Sequence, residues 1–149
     1  MDFQELATQF VHNDINFRIE QNYQKVNYPQ IKGENVALIL ISNQPKSITA
    51  GKLADLMNVS TARVACILNS LESKKLIRRS ADKFDKRKIF VALTKLGRES
   101  IEKQHNAVVS YFAEFFKSIG QEDTQKYLEL TNKLHEFITT RRPCDDTII

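Results

Sequence analysis

Apolar positions along most of the chain recur at three- and four-residue intervals, the pattern of helices that bury one face. Phe3, Leu6, Phe10 and Phe17 fall on one stripe, and Ile15, Ile19, Tyr23 and Val26 on a second, which predicts a helix over residues 2–26. Pro29 and Gly33 punctuate its end. The densest apolar run, Val36 to Ile41, lies in a stretch that predicts a buried helix over residues 34–44, stopped before Pro45. Two short helices follow. Thr49 is placed to cap the first, which turns Leu53, Ala54, Leu56 and Met57 inward. Asn58 and Val59 supply a tight turn, and Ser60 caps a helix that runs to about Ser73. Val64, Ile67, Leu68 and Leu71 form its core face, leaving Thr61, Arg63, Cys66, Asn69 and Ser70 opposite.

The period then changes. Leu76 to Arg79 and Lys88 to Leu93 read as two strands, with Ile89, Val91 and Leu93 alternating against Phe90 and Ala92. Thr94 can cap the next helix. There Ile101, His105, Val108, Phe112, Phe115 and Ile119 make a coiled-coil-like seam that Gly120 ends. Tyr127, Leu130 or Thr131, Leu134, and Phe137 or Ile138 repeat the pattern, and the tail "RRPCDDTII" is expected to fray. The fold class is mainly α with a small β-hairpin. Two short helices and a hairpin describe a winged helix-turn-helix domain over residues 33–98. Residues 1–32 and 99–149 then form a helical region around it.

Composition narrows the function. At 149 residues the chain fits one compact domain with helical extensions. No apolar run approaches the roughly 20 residues that span a bilayer, so no membrane partner is expected. Neither a basic leader nor a cleavage site stands at the N-terminus. Two distant cysteines, Cys66 and Cys144, fit a reduced cytoplasm. Net charge is +4 and uneven: residues 46–98 hold 13 Lys and Arg against 4 Asp and Glu, while both flanks are mildly acidic. Lys83, Lys86, Arg87 and Lys88 crowd the hairpin turn of that basic third, with Asp82 and Asp85 among them. Cations at a turn repel unless an anion collects them, so the expected partner is a polyanion. A helix about 10–12 Å across fits the major groove of DNA, and a hairpin reaches the adjacent minor groove.

Over nearly the whole length the sequence resembles the MarR family of bacterial transcriptional regulators, most strongly from Ile48 to Gly97. The family's wing pattern stands here as Asp85, Arg87, Val91, Leu93, Thr94 and Gly97. The resemblance implies that Arg87 enters the minor groove and that Asp85 holds its guanidinium. It also implies a two-fold dimer built by the terminal helices, reading a pseudo-palindromic operator in double-stranded DNA. Ser60, Thr61, Arg63 and Asn69 are the candidate contacts on the recognition helix, and Lys86, Arg87 and Lys88 those on the wing. Lys46, Lys52, Lys74, Lys75, Arg78, Arg79 and Ser70 are divided between backbone contact and solvation. Two positions depart from the family. Cys66 stands where a typical member has Arg, and Lys75 replaces the glycine that usually follows the recognition helix, which predicts a different cap.

Phe3, Phe10, Phe17, Phe112, Phe115, Phe116, Phe137 and Ile138 are candidates for a shared homodimer core. Phe17, Tyr23 and Phe112 could line a pocket for a small aromatic effector, although such a stripe is more often core. Cys66 is a redox candidate against the plainer reading of an inert helical thiol. His12, His105 and His135 lack the spacing of a metal site, so neither metal nor cofactor is expected. No nucleophile–base pattern or phosphate-cradling loop points to an enzyme. The sequence therefore predicts a DNA-binding regulator, a repressor released by a small-molecule or other signal. The rival reading is a winged helix that holds a protein partner.

Overall fold

Eight elements arise among the described residues, 2–20 and 33–140, of a computed structural model. Tyr23, Val26, Pro29 and Cys144 lie outside the described residues. The chain forms two compact units, one of residues 2–20 with 107–140 and the other of residues 33–106.

In the second unit, α2 (Gly33–Ser42) buries Ala37, Leu38, Leu40 and Ile41. It is followed by β1 (Ile48–Thr49), α3 (Ala50–Met57) and α4 (Thr61–Ser73). Thr49 caps the start of α3 as predicted, its hydroxyl accepting from the Lys52 amide at 3.1 Å. Asn58 closes α3 in the left-handed region (φ 51°), a conformation that Asn tolerates better than most residues. Ser60 then accepts from the Arg63 amide and starts α4. Val64, Ile67, Leu68 and Leu71 are buried on its inner face, as their spacing predicts.

Two strands, β2 (Ile77–Ala81) and β3 (Ile89–Leu93), make the hairpin. The sheet order is β1-β3-β2, all antiparallel, with Ile48 opposite Val91 and Ile77 opposite Leu93. The two-residue β1 carries too little pattern to be read from sequence. Likewise β2 extends to Ala81, beyond the predicted Arg79, because pairing with β3 organises residues that have no apolar alternation.

Lys75 corrects an expectation. Although it replaces a glycine, it takes the left-handed conformation that glycine would (φ 60°). Its amide donates to the Glu72 carbonyl, and the Leu76 amide donates to the Leu71 carbonyl, so the helix end keeps a glycine-type closure without the glycine.

The other unit packs α1 (Phe3–Glu20) against the later part of α5 (Lys95–Thr140), a helix broken at Gly120 (φ 79°, ψ 173°). Ala7, Phe10, Val11, Val109 and Phe116 form its core, with Phe112, Ala113, Ile119 and Tyr127 against it. Buried Thr124 donates to the Gly120 and Phe116 carbonyls, satisfying backbone left over at the break. The predicted seam holds at Phe112 and Ile119, which pack against this core, and slips by one residue at two positions. Val109 and Phe116 point inward, whereas Val108 and Phe115 are exposed. Phe10 and Phe116, expected in a dimer core, are buried within their own chain.

Candidate nucleic-acid interface

The recognition helix presents a face of mostly small side chains. Thr61, Ala62, Arg63, Ala65, Cys66, Asn69 and Ser73 are all exposed. Ala62, Cys66, Asn69 and Ser73 succeed one another along its middle, with Arg63 on the flank. A small face lets a helix backbone approach closely, and its two longer polar side chains, Arg63 and Asn69, stand above it. Cys66 is a free, exposed thiol.

Two predicted surface contacts are engaged inside the protein instead. Ser70 donates to Glu34 Oε1 at 2.6 Å, and Lys74 pairs with Glu34 Oε2. Arg79 is likewise paired, its Nε and Nη2 both donating to Glu72 Oε2. The hydrogen bonds from Arg79 hold the Glu72 carboxyl below the ordinary Glu range. Residue separations of 36 to 40 hid the Glu34 contacts from sequence reading.

At the wing the loop between β2 and β3 hydrogen-bonds to itself. The Asp82 amide donates to the Lys88 carbonyl at 3.0 Å, and the Lys88 amide to the Asp85 carbonyl at 2.9 Å. Both aspartates act on backbone: Asp82 Oδ1 accepts from the Phe84 amide and Asp85 Oδ1 from the Arg87 amide. Asp85 therefore sets the backbone of Arg87 and does not hold its guanidinium, because a carboxylate two residues upstream meets the amide first. With the acids so occupied, Lys83, Lys86, Arg87 and Lys88 are exposed and have no carboxylate partner among the described residues. Four cations against two carboxylates leave the loop net positive. Phe84 stands in their midst, 99% exposed, a feature the crowd of cations obscures in the sequence.

Gly97 explains why a glycine closes this pattern. Near the start of α5 it lies against the chain entering β2, where a Cβ would fall 2.0 Å from the Leu76 carbonyl oxygen. Thr94 joins the same junction. Its hydroxyl donates to the Lys75 carbonyl and accepts from the Gly97 amide.

Residues 33–89, which span α2 to the start of β3, match the MarR family model. This winged helix is a MarR-family domain. A stretch of 51 residues is 39% identical to the uncharacterized HTH-type transcriptional regulator YwaE of Bacillus subtilis, covering 34% of this chain and 30% of that protein. The MarR-type fold extends further than the family match. YusO of Bacillus subtilis superposes with a TM-score of 0.63 at 22% identity, over 89% of this chain and 92% of that one. A mutant MepR of S. aureus bound to an oligodeoxyribonucleotide gives 0.53 at 26% identity, over 87% and 96%.

The remaining candidates lie elsewhere. In the helical unit Phe112 packs on Phe10 and Phe116, and Phe17 stacks on His135 with ring centroids 3.8 Å apart. The MarR-type domain does hold a cavity of about 300 Å³, between the end of α2, loop 44–47, β3 and Arg98. Among the described residues no cluster of His, Cys, Asp and Glu could hold a metal ion. No described helix is long and apolar enough to cross a membrane.

Proposed function

We propose that this protein is a transcriptional regulator that binds double-stranded DNA as a homodimer. The recognition helix α4 enters the major groove through its small exposed face, Arg63 and Asn69 reading base edges and Thr61 contacting the backbone. The Ser60 hydroxyl, occupied with the Arg63 amide, fixes the helix start that faces phosphate. Lys86 and Lys88 neutralise phosphates while Arg87 enters the minor groove, its backbone set by Asp85. The carrying observation is the wing. Four exposed cations outnumber two carboxylates on a loop that its own hydrogen bonds close. The MepR complex supports the reading, since a chain of the same fold is bound there to an oligodeoxyribonucleotide.

The helical unit supplies the partner surface. Val108, Tyr111 and Phe115 form one exposed apolar stripe, and Leu130, Leu134 and Phe137 another. A second copy covers them, placing two recognition helices on half-sites about one helical turn, or 34–36 Å, apart. Such a dimer over a promoter represses, and a signal that alters the spacing of its helices releases the DNA. Selection from a random-sequence duplex library tests this. Enrichment of a pseudo-palindrome with half-sites about 10 base pairs apart is expected. No enrichment, from protein that light scattering shows to be a folded dimer, would refute sequence-specific binding.

A further inference from the structure

Phe84 is the most exposed of the large apolar side chains among the described residues, at 99%. Single exposed apolar residues are common and need no explanation by themselves. This one differs in its setting. Its amide is pinned to Asp82 Oδ1 at 2.7 Å, and the loop around it is closed by the Asp82–Lys88 and Lys88–Asp85 backbone hydrogen bonds. The ring is therefore presented from a fixed loop and has no apolar neighbour to fold back on. Lys83, Lys86, Arg87 and Lys88 share its loop with only Asp82 and Asp85, so any surface that receives the ring must also accept a net positive charge. An apolar protein groove would not.

The minor groove of DNA meets both demands. Its rims are phosphate, its walls are the apolar edges of deoxyribose, and its floor opens at flexible base steps to apolar side chains. We propose that Phe84 is a minor-groove wedge, packing on the sugar edges and against a base step beside the one that Arg87 enters. This assignment rests on the DNA-binding reading above. It adds to that reading a contact without charge or hydrogen bond, whose specificity comes from the ease of opening the step. Pyrimidine–purine steps are the favoured class at that position.

The chain contains no tryptophan, so Phe84→Trp installs a single reporter at the wing tip. The probe is the duplex recovered by library selection, labelled for anisotropy, with wild type, Phe84→Trp, Phe84→Ala and Arg87→Ala compared at several salt concentrations. Phe84→Ala should bind about tenfold more weakly with an unchanged salt slope, because no counterion is released by the ring. Arg87→Ala should flatten the slope by about 1. Emission from Phe84→Trp should be quenched as the duplex saturates. An equal affinity of Phe84→Ala, or unchanged emission while anisotropy reports binding, would overturn the wedge and leave the regulator standing. Failure of the wild type to bind any duplex would overturn both. An unchanged melting temperature in Phe84→Ala certifies that the comparison reads contact and not folding.

Discussion

Replacing Gly97 by alanine adds a methyl group where the backbone leaves no room. The new Cβ would lie 2.0 Å from the Leu76 carbonyl oxygen, 3.0 Å from its carbon and 3.2 Å from Leu93 Cδ2. Carbon–oxygen contacts settle near 3.3 Å, so helix and strand must separate by more than about 1 Å. The carbonyl cannot withdraw alone, because it accepts from the Thr94 amide at 3.1 Å. Its neighbour Lys75 accepts from the Thr94 hydroxyl at 2.6 Å, and that hydroxyl accepts from the Gly97 amide at 3.0 Å. Overpacking costs about 1–3 kcal/mol, and losing one or two of these hydrogen bonds about 1 kcal/mol each. Better helix propensity returns at most about 1 kcal/mol. The clash wins, for a net loss of about 2–4 kcal/mol. Thermal unfolding followed by circular dichroism should show a midpoint lowered by about 10 °C. A midpoint within about 2 °C of the wild type would show that the junction yields freely, and that the glycine has another cause.

Three further outcomes follow from the same geometry. Lys75→Gly should stabilise the chain by about 0.5–1 kcal/mol in urea unfolding, since it relieves the left-handed conformation of a non-glycine residue; a loss of stability would mean that the Lys75 side chain supports the fold. The hydrogen bonds from Arg79 depress the Glu72 carboxyl, so its contribution is present above the ordinary Glu range and lost as pH falls through the lower folded value. The wild-type midpoint should therefore fall more steeply with acid than that of Glu72→Gln, by a small margin because the pair is part-exposed; parallel profiles would refute the link. Arg87→Ala should weaken duplex binding by about 1–3 kcal/mol with melting temperature and dimer mass unchanged, and full affinity in that variant would mean that the wing is not the minor-groove contact.

The winged-helix unit was legible because its determinants are local. Thr49, Asn58 and Ser60 cap helices through bonds within a few residues, and the alternation of Ile89 to Leu93 needs one partner strand. The helical unit was harder, for a physical reason. Val108 and Val109, and Phe115 and Phe116, are adjacent apolar pairs, so two helical phases bury equally good residues until Phe10 on α1 selects one. Long-range pairing also escaped notice. Nothing near Ser70 or Lys74 announces that Glu34 will engage both. Asp85 shows the limit of transferring a role by pattern. The residue stands at the pattern's position, yet its Oδ1 accepts from the Arg87 amide and not from the guanidinium.

The most direct test of the central claim is the salt dependence of binding to a duplex taken from upstream of the protein's own gene, with a random duplex alongside. A dimer making about 8 phosphate contacts predicts a log–log slope near −7, with nanomolar affinity for the upstream duplex and far weaker binding to the random one. Equal weak affinities for both would contradict a specific operator at that place. No binding to either, even at low salt, would contradict DNA recognition altogether.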